Sequence, residues 1–295
     1  MTIADFSLRE KSEEKHDESV QLLSLNLFGK SIDELLVQIE NTLVQGNKSG
    51  ENATRVLTIA TPNPEIAVLV QQNPSLSTVL DNFTVQLPDG IGLIWAARIL
   101  GKAQPGFGRI AGVELVARLL DLIEKTGQSA LIIGGKSYAG QKVGLFEVIP
   151  VSGNTQTEPK RRSTQGTTLW WTPGFSQIQQ QTVEEVAELE AVMAKLRPAV
   201  VFVAFGAPHQ EEWLIKNQVK LAKNGVKVAM VVGGAFDMLL GKIPRAPIWM
   251  QSLGLEWIYR LYQEPWRWKR QLRLLRFLYI VCLEWVRQRK DLWAK

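Results

Sequence analysis

Apolar positions along this chain come in short continuous runs, each closed by glycine, proline or a small polar residue and followed by a stretch with helical spacing. Gln21–Phe28 alternates apolar and polar residues, which predicts a strand with one buried face. Ser31–Val44 has helical spacing at Ile32, Leu35, Leu36 and Ile39, with Ser31 placed to cap it. Arg55–Ala60 is a strand candidate that ends at Thr61-Pro62-Asn63-Pro64-Glu65, before a helix starting near Ile66. Thr84–Leu87 runs into Pro88-Asp89-Gly90 and a helix carrying Ile94, Ala97 and Leu100. The order recurs with Ala130–Ile133 before Gly134-Gly135, Ala199–Phe205 before Gly206-Ala207-Pro208, and Val228–Val232 before Gly233-Gly234. Strands alternating with helices predict an α/β fold, a Rossmann-like parallel sheet flanked by helices.

Beyond residue 250 the pattern becomes helical without strands. Trp268, Leu272, Leu275, Tyr279, Cys282 and Val286 form an apolar stripe, with Lys269, Arg273 and Arg276 beside it. The longest apolar run there, Phe277–Leu283, is far short of the ~20 residues a spanning helix needs, so the segment suits a membrane surface. The chain thus divides into a disordered tail at 1–20, an α/β core at 21–250 with a polar loop at Val151–Thr168, and a basic amphipathic appendage at 251–295.

Charge sharpens this division. Of the formal net charge of +5 on 295 residues, the appendage holds ten Lys/Arg against Glu256, Glu264, Glu284 and Asp291, so the rest is close to neutral. Five of the ten tryptophans (257, 266, 268, 285, 293) lie in the same segment. Concentrated cations seek a polyanion, and tryptophan favours the bilayer interface, so an anionic membrane surface is expected. Nucleic acid could use the same basic aromatic tail, but an apolar stripe fits lipid better. That stripe has a plainer reading as packing against the core. One cysteine and two histidines without CxxC exclude a disulfide framework and the usual zinc arrangements. With no apolar h-region near the start, a cytoplasmic protein on the inner face of the membrane is expected.

In open parallel sheets ligands bind beyond the carboxyl ends of the strands, and here those ends carry the unusual polar residues. Gly134, Gly135, Gly206 and Gly233 suit close approach of a phosphate to backbone N–H groups, or simply tight turns. Asp89 is either a turn residue or a carboxylate placed to take a proton from an attacking hydroxyl. Gln210 and Glu211 could cap the helix after Pro208, and Asp237 is a second ligand-facing carboxylate or an N-cap. Arg109 stands among Gly106, Gly108 and Gly112, which favours anion binding, and His209 alone makes no metal site. A dehydrogenase would need G-x-G-x-x-G after an early strand, and Thr61–Glu65 supplies nothing like it.

Seven motifs occur in an order that resembles the WecG/TagA/CpsF glycosyltransferases, glycosyltransferase family 26: Thr61-Pro-Asn63-Pro-Glu65, Pro88-Asp89-Gly90-Ile-Gly92, Arg109-Ile-Ala-Gly112, Gly206-Ala-Pro208-His-Gln210-Glu211, Gly233-Gly-Ala-Phe-Asp237, Arg245-Ala-Pro247 and Glu256-Trp257-Ile-Tyr-Arg260. The resemblance runs from about Leu25 to about Arg276. It implies an inverting, metal-independent, cofactor-free hexosyltransferase that moves a sugar from a UDP-sugar donor to a polyprenyl-diphosphate-linked acceptor in cell-surface polysaccharide synthesis. By the same resemblance Asp89 is the catalytic base and Thr61, Asn63, Arg109 and Gln210 lie at the substrate pocket. The resemblance makes Arg260, Arg267 and Arg270 of the appendage the candidates for stabilising the leaving diphosphate. Three departures stand out: Gln104–Gly108 is longer than usual, His209 replaces a common lysine, and Val151–Thr168 expands a compact region. The alternative from another class is a non-catalytic peripheral membrane module that binds nucleotide-sugar. Off the membrane, the appendage's apolar surface needs cover, which a homo-oligomer would give.

Overall fold

The apolar runs become the strands of one large sheet in a computed structural model that describes residues 19–45, 56–151, 167–252, 255–265 and 268–293. A hairpin of β1 (Ser19–Leu22) and β2 (Leu25–Phe28) leads into α1 (Ile32–Gln45). β3 (Leu57–Ala60) is followed by α2 (Pro64–Gln72) and α3 (Pro74–Asp81), and β4 (Val85–Gln86) by α4 (Ile91–Ile99) and α5 (Gly112–Lys125). Next come β5 (Ala130–Gly134), β6 (Lys142–Val143), β7 (Phe146–Pro150), β8 (Leu169–Thr172) and α6 (Val183–Leu196). β9 (Val200–Ala204) leads to α7 (His209–Lys223), and β10 (Val228–Val231) to α8 (Ala235–Leu239). α9 (Ile248–Ser252), α10 (Glu256–Gln263) and α11 (Trp268–Trp293) form the appendage.

The sheet has eight strands in the order β4-β3-β10-β9-β5-β8-β7-β6. Every neighbouring pair is parallel except β6 with β7. Its central strands are buried at every position, and apolar but for Thr58 of β3, because helices cover both faces. Leu131, Ile133, Val201, Val203, Ala229 and Val231 face a layer that includes α2, α4, α6 and α7. Their neighbours Ala130, Ile132, Val200, Phe202, Val228 and Met230 face α1, α5 and α8. The result is the three-layer α/β architecture expected of alternating strands and helices.

Two local expectations are corrected. Gln21–Phe28 is two strands rather than one, turned at Leu23 and Ser24, whose φ of 49° and 64° lie in the left-handed region. Neither residue is glycine or asparagine, so the turn leaves no sequence signal. Ser19 and Val20, assigned to the tail, are strand residues, and Val20 is buried. Between β5 and β9 the chain forms three strands and α6, which opens with a Thr182/Glu185 capping box. Of the Val151–Thr168 loop, residues 152–166 lie outside the described residues, as does the tail through residue 18. β7 and β8, on either side of that loop, are parallel neighbours, with Val148 opposite Leu169. Parallel neighbours need a long crossover rather than a hairpin turn.

α11 carries two apolar faces. Phe277 and Val281, four residues apart, are buried in the cluster with α2 and α4, and Arg273 pairs with Glu65 of α2. Gly92 permits that approach, since a Cβ there would come within 2.8 Å of Pro64 Cγ and 3.5 Å of Phe277 Cε1. The stripe read from the sequence is a different face: Trp268, Leu272, Leu275, Tyr279 and Val286 are 42–64% exposed.

Candidate active site

Asp89 follows β4, and its position is fixed by backbone bonds on both sides. Its N–H donates to Pro62 O at 3.0 Å, and Ile110 N–H donates to Pro88 O at 3.2 Å, which brings the loops after β3 and before α5 together. Gly90 takes a φ of 104°, a left-handed conformation open to glycine, and lets the chain turn sharply into α4. The Asp89 carboxylate accepts the N–H of Gly112 at the N-terminus of α5, where the helix dipole favours a negative charge. Gly112 also admits Thr61: a Cβ would meet Thr61 Cγ2 at 3.1 Å and Asp89 Oδ2 at 3.5 Å. Thr61, Asp89 and Gly112 therefore share one small space at the strand ends.

Burial raises the Asp89 carboxyl to about 6, with Arg109 opposing the rise, Glu256 adding to it, and the Gly112 N–H and Arg260 opposing it. Arg109 Nη2 lies 4.0 Å from Asp89 Oδ1 and 2.7 Å from Glu256 Oε2. A carboxyl poised near 6 is ionised at neutral pH and still basic enough to accept a proton in a transition state. Asn63 is committed locally, its Oδ1 accepting the Ile66 N–H at 3.0 Å as the cap of α2.

The glycine-rich ends of β5, β9 and β10 differ in what they leave open. Gly134 and Gly135 are roofed by protein, because a Cβ would fall 2.7 Å from the Phe205 ring and 2.4 Å from the Tyr138 hydroxyl. Tyr138 donates to Asp237 Oδ1 at 3.3 Å, and burial beside that carboxylate raises its phenol well above the usual range. Gly206 and Gly233 have open space where a Cβ would stand. Pro208 opens α7. The side chain of Gln210, next but one, is used inside the protein: its Oε1 accepts Gly206 N–H at 3.1 Å and Gly233 N–H at 3.2 Å, and its Nε2 donates to Glu211 at 3.0 Å. Gln210 thus ties the β9 and β10 loops together. Glu211 is buried, which raises its carboxyl to about 7.

α10 brings the appendage to the crevice. Arg260 lies against Gly234, where a Cβ would come 2.9 Å from its Nη2 and 3.5 Å from Asp237 Oδ2, and its Nε stands 3.2 Å from Glu264. Arg245 Nε lies 3.6 Å from Glu256. Of the other two arginines assigned to the leaving group, Arg267 lies outside the described residues, and Arg270 is described only as part of α11. Sequence reasoning gave no role to Glu256, Gly112 or Gly234. The glycines stood inside quoted motifs, but their function is to admit Thr61 and Arg260, which only the assembled crevice shows.

A carboxyl of raised proton affinity and two arginines meet at the carboxyl end of a parallel sheet, beside the space left by Gly206 and Gly233, an arrangement suited to group transfer on anionic substrates. Residues 20–291 match the model of the glycosyl transferase WecG/TagA/CpsF family, and the chain belongs to that family. It is similar to the N-acetylglucosaminyldiphosphoundecaprenol N-acetyl-beta-D-mannosaminyltransferase of Bacillus subtilis (strain 168), 32% identical over 77% of this chain and 79% of the relative. The protein of the same description from Bacillus spizizenii is 30% identical over 86% of this chain and 87% of the relative. The chain is accordingly a glycosyltransferase.

Proposed function

We propose that the enzyme transfers an N-acetylmannosamine-like hexose from a UDP-sugar to a polyprenyl-diphosphate-linked N-acetylglucosamine, with inversion and without a metal. The acceptor and sugar follow the names of the two relatives. The observation that carries the mechanism is the Asp89 carboxylate, held by the α5 N-terminus beside Thr61 and raised to about 6. Asp89 takes the proton of the acceptor hydroxyl as that oxygen attacks the anomeric carbon, and the nucleoside diphosphate leaves from the opposite face. Arg260, and Arg109 beside Asp89, supply positive charge to diphosphate groups at strand ends where Gly206 and Gly233 leave open space.

A polyprenyl chain stays in the bilayer, so the enzyme must meet it at the surface. No described helix is long and apolar enough to cross a membrane, while α11 presents exposed leucine, tryptophan and tyrosine. We assign that face to the acyl boundary, with Arg and Lys on anionic headgroups. The test is release of UDP from a panel of UDP-sugars with polyprenyl-diphosphate-N-acetylglucosamine in EDTA, for wild type and Asp89→Asn. Acceptor-dependent release that collapses in the variant is expected. No release with any donor would point instead to a non-catalytic module.

A further inference from the structure

The transfer just described leaves Glu256 without a task, although it is the acid nearest to Arg109. It is 17% exposed and held from two sides, by Arg109 at 2.7 Å and Arg245 at 3.6 Å. Arg109 stands farther from Asp89, at 4.0 Å, and its Nε is buried with no acceptor among the described residues. Without a competing acid, a guanidinium this close to Asp89 would close on it as a direct pair, and a carboxylate in such a pair loses proton affinity. We propose that Glu256 is a positioning residue that draws the Arg109 guanidinium off Asp89, so that docking of α10 leaves the base free to take the acceptor's proton. The inference rests on Asp89 being that base.

The charged groups facing Asp89 are Arg109 from the loop before α5 and Glu256 and Arg260 from α10, beside the Gly112 N–H. Glu256 raises the carboxyl, and the two arginines lower it. Neutralising Glu256 removes the upward influence and lets Arg109 cross the 4.0 Å gap, and both changes favour the carboxylate. Glu256→Gln is therefore expected to move the acid limb of kcat/KM to lower pH by about one unit, and to reduce turnover several-fold above that limb as the base weakens.

The experiment compares pH–rate profiles of the full chain for wild type, Glu256→Gln, Glu256→Asp and Asp89→Asn, with UDP-N-acetylmannosamine and a soluble N-acetylglucosamine-diphosphate lipid. The Asp89 carboxyl ¹³C resonance, assigned by its loss in Asp89→Asn, gives the same titration without substrate. Expected are a downward shift in Glu256→Gln by both readouts and a wild-type midpoint in Glu256→Asp, which keeps the charge. A loss of packing alone would lower the rate at every pH and leave the midpoint in place. An Asp89 titration that Glu256→Gln leaves unmoved, or moves upward, overturns the role of Glu256 alone. Full activity in Asp89→Asn would overturn the base assignment and this inference with it.

Discussion

Asp89 meets two requirements that oppose each other. Its elevation from an ordinary 3.8 to about 6 suits the base proposed above, but the ionised form then sits where the neutral form is preferred. The folded state binds this proton more tightly than the unfolded chain, so stability falls as pH rises from 3.8 through about 6, and the whole penalty is present above that. Two units correspond to roughly 3 kcal/mol at most. Asp89→Asn is expected to melt higher than wild type at neutral pH, to lose that advantage in mild acid, and to turn over about 10²–10⁴-fold more slowly; melting curves across pH and initial rates check the pair of effects. Gly234→Ala separates geometry from stability. The backbone there, φ −94°, accepts alanine, while the new methyl meets the flexible end of Arg260. Melting should be unchanged and kcat reduced about tenfold to a hundredfold. Asp89 could be singled out because it stands in Pro88-Asp89-Gly90 at a strand end, as a turn residue or a proton acceptor, and the family resemblance chose the second. The Glu256 contact could not be, because its partner Arg109 lies 147 positions away and nothing local marks either as half of a pair.

At the scale of elements, the β9 and β10 loops depend on one side chain. Gln210→Leu leaves two N–H groups and Glu211 without their partner, which should cost about 2–4 kcal/mol and lower the denaturation midpoint accordingly. Glu211→Gln works in the other direction. Its carboxyl rises from 4.5 to about 7, so the folded state disfavours its charge, and the variant should gain stability above pH 7 and none below 4.5. Urea titrations at the two pH extremes measure the difference. The central strands could be read directly, because a strand covered on both faces has no polar alternation and appears as an unbroken apolar run. β6, two residues long, and the Leu23-Ser24 turn could not, since a two-residue strand has no period and the turn lacks the residues that normally occupy left-handed backbone.

Across the whole molecule, α11 joins a packed face to an exposed one, and substitutions on the two should part company. Phe277→Ala opens a cavity under the helix and should cost about 3–5 kcal/mol. Leu275→Glu with Tyr279→Glu, on positions 64% and 63% exposed, should leave melting intact and weaken sedimentation with anionic vesicles. The sequence showed the second face and hid the first, because in a helix apolar on two sides Phe277 and Val281 carry no mark of which partner they meet. The sheet itself ends on a two-residue strand at each side, β4 and β6, and Asn26 of the hairpin reaches the side chain of Gln86 on β4. A broad apolar sheet finishing on a long open strand would be a seed for fibrillar growth, each new molecule extending the hydrogen-bonded ladder of the last. Here the ladder runs out almost as soon as it reaches either margin. Neither margin therefore offers a neighbouring copy a long ladder on which to add a strand.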